Sequence, residues 1–220
     1  MESEQVSYIP PQQTRSRRSL ERMLDAAEEQ LSAVGVESFT IADVVARADL
    51  SVGAFYARFP DKTALLHAVQ DRFHNRVEPL LHEEMRRCGA AAKSLAEAVD
   101  CLIDILLKHI TSTQELSRAF MMTSVFDPTM RARGEKVNKS RREVFASVLL
   151  EHRNEIGHDD PMVAIEMAYG IYAAIVRGNL VFGQHHELHY DTSNQTIAAE
   201  MKRALTLYLR GDNPAPNKAV

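Results

Sequence analysis

The sequence predicts an all-α protein, and three observations carry that prediction. Apolar residues recur at three- and four-residue spacing through most of the chain, with few strand-like alternations. Nine glycines and eight prolines in 220 residues leave long uninterrupted runs, unlike a β-rich or low-complexity chain. Hydrophobic residues make up 45% of the chain, ample for the core of helices packed on one another, and 220 residues can hold one large domain or two small ones.

Residues 1–14 are polar and proline-bearing, so they read as a disordered arm. They lack the apolar run of a signal peptide, and no run reaches the length of a membrane span, so the cytoplasm is the expected location. A helix is predicted from about 16 to 34, with Leu20, Met23, Leu24, Ala27, Leu31 and Val34 on one stripe and Gly35 as C-cap. Thr40 can cap a short helix, with Asp43 three residues on as in a capping box. Ile41, Val44, Val45 and Ala48 share its buried face. Asp49 and Leu50 break the pattern, and Ser51 caps a further helix that buries Phe55 and Phe59 and stops at Pro60. Val52, Gly53, Ala54, Tyr56, Ala57 and Arg58 then form its outward set. A helix this short does not hold itself together in water. Its use is to be presented by its neighbours, and a DNA major groove accepts an object of that shape.

Asp61 is the expected N-cap of the next helix, where Leu65, Leu66, Val69, Phe73 and Val77 continue the apolar stripe and Pro79 is expected to kink or end it. A small-residue joint follows at Gly89 to Ala92. Residues 94–110 turn Leu95, Val99, Leu102, Ile103, Leu106 and Ile110 inward, with Asp100, Asp104 and Lys108 as an outward line holding an i,i+4 pair. Residues 114–126 carry Leu116, Phe120, Met121, Met122, Val125 and Phe126, and a helix over 128–153 begins at Pro128. Residues 161–183 are apolar almost all round, and 193–210 place Ile197, Met201, Ala204, Leu205, Tyr208 and Leu209 on one face. Residues 211–220 read as a disordered tail.

The 40–62 stretch resembles the helix-turn-helix of the tetracycline-repressor (TetR) family. The residues that carry the likeness are Thr40, Ile41, Ala42, Ser51, Gly53, Phe55, Tyr56, Arg58, Phe59 and Lys62, with Gly35 and Val36 leaving the preceding helix. Asp49 stands where the family usually has glycine, and Arg58 where it often has histidine. The resemblance implies an N-terminal DNA-binding head over 15–62 and a larger helical effector-binding and dimerisation domain over 63–210. It implies a sequence-specific, ligand-responsive repressor that binds a palindromic operator as a homodimer. Dimerisation would use helices 161–183 and 193–210, where Gly170, Ala173, Ala174 and Gly178 permit close packing.

The DNA-binding candidates are Arg17, Thr40, Arg47, Ser51, Val52, Gly53, Ala54, Tyr56, Arg58 and Lys62. Gly53 lets backbone approach the sugar-phosphate chain. Tyr56 and Lys62 donate to phosphates, while Val52 and Ala54 meet thymine methyls. Bulk charge gives no support: the whole chain is −4, and its first 62 residues hold seven basic and ten acidic side chains. The local cluster Arg15, Arg17, Arg18 and Arg22 acts within about one Debye length, roughly 8–10 Å. The effector candidates are Leu106, Phe120, Met121, Met122, Phe126, Tyr169 and Tyr172, with His109 and Asn179 as polar anchors. They suit a small apolar or amphipathic molecule.

Cys88 and Cys101 have neither zinc-site spacing nor the density of a secreted disulfide scaffold. The competing class is a metal-dependent enzyme using His185, His186 and His189, but the run lacks the paired helical spacing of a catalytic zinc motif. No phosphate loop or nucleophile elbow is present, so no catalytic residue, cofactor or resident metal is expected. A helical interaction module that does not bind DNA is the third reading.

Overall fold

The computed structural model describes residues 14–182 and 194–211. The arm before Thr14, the 185–189 histidines and the tail beyond Gly211 lie outside these residues. Among the described residues there are nine α-helices, one short 3-10 turn at Arg153–Glu155, and no strand. The helices are α1 (Thr14–Val34), α2 (Ile41–Arg47), α3 (Val52–Tyr56), α4 (Lys62–Ala91), α5 (Leu95–Ser112), α6 (Gln114–Ser124), α7 (Pro128–Leu150), α8 (Pro161–Phe182) and α9 (Asn194–Arg210).

The helix starts follow local hydrogen-bond chemistry. Thr40, Ser51 and Ser94 each take an extended backbone and accept from the amide three residues on. Asp61 accepts from the Ala64 amide at 2.8 Å. Asp127 accepts from the Thr129 and Met130 amides and opens α7 in the same way. Gly35 ends α1 in the left-handed region, at φ 71°, where its missing Cβ removes the steric cost.

The chain divides into two compact units. One comprises residues up to Val77 together with Gln114–Gly134, and the other Glu78–Thr113 together with residues from Glu135 onward. This division differs from the 62/63 boundary drawn from the sequence. Buried Phe120 of α6 joins the first unit's core, where its ring lies 5.5 Å from that of Phe73. That core is built on Met23, Leu31, Phe39, Phe55, Phe59 and Leu65. The second unit's core is built from the C-terminal part of α4 and from α5, α7, α8 and α9 around Leu102, Phe145, Ile165 and Leu205.

Several expectations are corrected. Pro79 does not end α4, which runs on to Ala91. Leu81 and Met85 beyond it are buried in the second core and offset the hydrogen bond that proline forfeits. Gly89 is not a joint but a packing position inside α4, where an added Cβ would meet Val148 Cγ1 at 2.7 Å. Val34 is 48% exposed, because the chain turns away at Gly35. Ile110 is only half-buried, and Ala204 is exposed. Asp104 meets Lys202 of α9 at 2.6 Å and Lys108 meets Glu84 of α4 at 3.6 Å, so these charges join helices instead of pairing along one. The two cysteines are joined: Cys88 on α4 and Cys101 on α5 form a disulfide.

The second unit packs the end of α9 tightly. The Gly157 amide donates to the Leu209 carbonyl at 3.0 Å. A Cβ on Gly157 would sit 2.0 Å from the Arg210 carbonyl oxygen, so only glycine fits there.

Candidate nucleic-acid interface

The head is built around a five-residue helix. α3 is far too short to persist alone. It is held by Phe55 and Phe59, both with no exposed surface. The Phe59 amide donates back to the Phe55 carbonyl at 2.9 Å, prolonging the turn past Tyr56. Helix geometry therefore ends before Pro60, which confirms the stop.

The turn between α2 and α3 depends on one left-handed residue. Asp49 has φ 52°, a conformation that Asp tolerates better than most side chains. The Leu50 amide returns to the Val45 carbonyl at 2.9 Å, closing the C-terminal turn of α2. At the N-terminus of α2, the Thr40 hydroxyl accepts from the Asp43 amide at 3.1 Å and donates to the Asp43 carboxylate at 2.6 Å. Gln30 of α1 donates to the same carboxylate at 3.1 Å, which locks the cap onto α1.

These contacts leave one edge of α3 facing solvent. Val52 is 50% and Tyr56 57% exposed, and Ser51 and Gly53 are exposed with them. A Cβ on Gly53 would touch nothing nearer than Ser51 Oγ at 3.8 Å, so its backbone is open to an approaching ligand. Ala54, between Val52 and Tyr56, is half-buried. Thr40, Arg47 and Arg17 are exposed. Arg47 lies 3.4 Å from Glu29 in a solvated pair that holds it only weakly.

Two of the candidates serve the head itself. Arg58 donates through Nη2 to the Ser16 carbonyl at 2.6 Å and to the Ser16 hydroxyl, tying the end of α3 to the first turn of α1. Lys62 Nζ donates to the carbonyls of Phe39 at 2.7 Å and Val36 at 3.2 Å and lies over the Phe39 ring. Burial lowers the Lys62 ammonium pKa below its usual value, with Glu37 acting in the opposite sense. An exposed helix-start lysine awaiting an anion is thus not what the structure shows. Lys62 satisfies carbonyls left over where α1 ends and α2 begins.

A charged strap escaped the sequence reading. Arg72 of α4 reaches Glu28 at 2.8 Å, Asp25 at 2.7 Å and Glu21 at 3.2 Å on α1, and Arg76 meets Glu28 at 2.7 Å. The signal was present: Glu21, Asp25 and Glu28 fall on one face of α1, and Arg72 and Arg76 on one face of α4.

The effector candidates are divided between the units. Phe120, Met121, Met122 and Phe126 belong to the first, and Leu106, His109, Tyr169, Tyr172 and Asn179 to the second. Leu106 and Phe120 are plain core, whereas Phe126 is 87% exposed; Met121, Met122 and Asn179 are half-buried. In the second unit, the structure adds two residues that no single-helix pattern marks. Arg141 of α7 makes a two-pronged ion pair with buried Glu78 of α4, through Nε at 2.8 Å and through Nη2. Its Nη2 also lies 3.1 Å from His109 Nε2. The Tyr169 hydroxyl donates to Asn138 at 2.9 Å. Burial pushes the Tyr169 phenol up to about 12 and that of Tyr172 higher still, so both stay protonated donors. Among the described residues no group of three or more His, Cys, Asp or Glu side chains is placed to hold a metal ion, and no helix is long and apolar enough to cross a membrane.

A short helix with an open edge, presented by a capped partner helix across a left-handed turn, is the reading head of a helix-turn-helix regulator. Residues 23–69 match the family of bacterial regulatory proteins of the tetR type, and residues 94–209 match the tetracyclin repressor-like C-terminal domain. The chain belongs to the TetR family of transcriptional regulators.

Solved structures carry the same fold. A protein from Mesorhizobium loti assigned to the TetR-family regulators aligns with a TM-score of 0.65 at 20% identity, over 90% of this chain and 96% of its own. A tetR-family regulatory protein from Rhodococcus RHA1 aligns at 0.63 and 17% identity, over 87% and 96%. The fatty acid degradation regulator FadR of Bacillus halodurans aligns at 0.60 and 17% identity, over 89% and 96%. At these identities the likeness shows the fold alone. No curated protein matches the chain.

Proposed function

We propose that this chain is a cytoplasmic, non-enzymatic repressor that binds a palindromic operator as a homodimer and is released by a small apolar or amphipathic effector. The observation that carries the DNA-binding part is the exposed edge of α3. Ser51, Val52, Gly53 and Tyr56 face outward from a helix that the buried Phe55 and Phe59 hold in place. Val52 and Ala54 read base edges, Gly53 admits backbone contact, and Tyr56, Thr40, Arg47 and Arg17 bind phosphate. Arg58 and Lys62 position the head through Ser16, Val36 and Phe39. The functional division keeps 15–62 for DNA and 63–210 for effector and partner.

The dimer part rests on α8. Met162, Val163, Met167, Ile171 and Ile175 are exposed along it, at 36% to 61%, and Leu207 of α9 is 45% exposed. An isolated unit does not ordinarily leave so continuous an apolar face in water. A second copy covering it by two-fold symmetry gives two reading heads, as a palindrome requires.

Selection of duplexes from a random library by the full-length protein tests the reading. The expected product is an inverted repeat with half-sites about one helical turn apart, roughly 34–36 Å. Recovery of no enriched motif, or of a single non-repeated half-site, would overturn it.

A further inference from the structure

We propose that Cys88 and Cys101 form a reversible cross-link, a dithiol that a low-molecular-weight disulfide oxidises and that thereby switches the regulator. They are the only cysteines in the chain, thirteen positions apart, and the fold brings their Cα atoms to 6.1 Å. That separation lies within the span a disulfide bridges without moving backbone. The bond joins α4 to α5 inside the second unit.

Two observations separate a switch from a permanent staple. First, disulfides are needed structurally where a small domain lacks a core, and this unit has one. Met85, Leu95, Ala98, Val99 and Leu102, in the same core as Cys88, are fully buried. Second, a protein that binds DNA works in a compartment where thiols are kept reduced, and there a disulfide is transient and redox-sensing. This second point rests on the DNA-binding reading above.

The two cysteines also differ in burial. Cys101 is half-buried, whereas Cys88 is 7% exposed. Cys101 as thiolate attacks one sulfur of an oxidised glutathione-type reagent, breaking its S–S bond and releasing one thiolate, which takes up a proton. Cys88 then attacks the mixed disulfide, forming the Cys88–Cys101 bond and releasing the second reagent thiol. Two protein thiols and one reagent disulfide become one protein disulfide and two reagent thiols. The two thiol protons end on the reagent, and its disulfide carries away the electron pair.

The consequence follows from chain continuity. α4 begins at Lys62, which braces the DNA-reading head, and carries Cys88 one turn before its end. A covalent tie near its far end fastens α4, the helix whose first residue is Lys62, to α5.

The full-length protein, equilibrated with glutathione at varied ratios of reduced to oxidised form, decides the matter by maleimide labelling and intact mass. The expected result is two labelled thiols under reduced glutathione. Under excess oxidised glutathione none is labelled, the mass falls by two hydrogens, and the change reverses fully. Cys101→Ser and Cys88→Ala should each stop at one thiol or one glutathione adduct. Duplex affinity should differ at least fivefold between the two wild-type states and not at all in the double variant Cys88→Ala/Cys101→Ala. Persistent labelling, a bond that reduced glutathione cannot open, a stable mixed adduct in wild type, or equal duplex affinity in both states would each overturn the proposal. Absence of DNA binding in every state would instead sink the DNA-binding reading, and the switch with it, while the labelling still reports whether the thiol pair is reversible.

Discussion

The two units solve opposite problems with surface. The first must keep a five-residue helix exposed, so it spends its buried aromatics on anchoring that helix, caps it with Ser51, and straps α1 to α4 through Arg72. The second buries a charged pair, Glu78 and Arg141, and leaves Met162, Val163, Met167, Ile171 and Ile175 of α8 exposed. A polar edge held by an apolar anchor suits a charged, hydrated partner such as DNA. An apolar face left open suits a second protein surface. The difference teaches that exposure is informative only when its chemistry is unusual for its place: polar backbone at Gly53 in one unit, methionine and isoleucine in the other.

The largest effect should come from removing the anchor. Phe55→Ala leaves a cavity under α3 and should cost about 3–5 kcal/mol of head stability, with DNA binding lost as α3 melts. Calorimetry and a gel shift on the same sample check both. Unchanged binding would mean that α3 is not the reading element.

Nearly as large is the buried pair. Arg141→Met strips the guanidinium from a buried carboxylate and should cost roughly 3–5 kcal/mol by urea titration. Glu78→Leu combined with Arg141→Met should recover most of that loss. If the double variant is no better than the single, the pair is not an isolated cost, and the polar cluster with His109 is holding α4, α5 and α7 together.

On the open face, Ile171→Glu places a charge where a partner's apolar surface is expected. Sedimentation should show the dimer dissociation constant raised at least a hundredfold, about 3 kcal/mol, with the monomer still folded. A dimer that survives would move the interface elsewhere.

Lys62→Met sharpens the comparison by separating a brace from a phosphate contact. The loss of two carbonyl bonds should cost about 1–3 kcal/mol in thermal stability. The salt dependence of duplex binding should stay the same, whereas a lost phosphate contact would lower its slope by about one. Tyr56→Phe should give the smallest effect, about 1 kcal/mol weaker binding, equally for all duplex sequences.

Much of the head is legible in the sequence because its signals are local. Thr40, Ser51 and Asp61 announce helix starts by chemistry that acts over three residues. Asp49 in its left-handed turn and Gly35 at the end of α1 are set by steric rules within one residue. The α8 stripe is equally plain as composition. What the local rules cannot see is partnership across the chain. Arg58 looks outward on a helical wheel, yet a serine 42 residues earlier captures it. Pro79 looks like a stop, yet the core beyond it carries the helix on.

Helicity, the start of most helices and the short helix that offers Gly53 and Tyr56 are all legible in local patterns. Those features depend on backbone sterics and on hydrogen bonds within one turn. Packing alone folds Lys62 back onto carbonyls, brings Glu78 to Arg141 and Cys88 to Cys101, and sets which side of α8 stays uncovered. Each of these depends on the free energy of bringing distant groups together, and no periodicity within a single element encodes that.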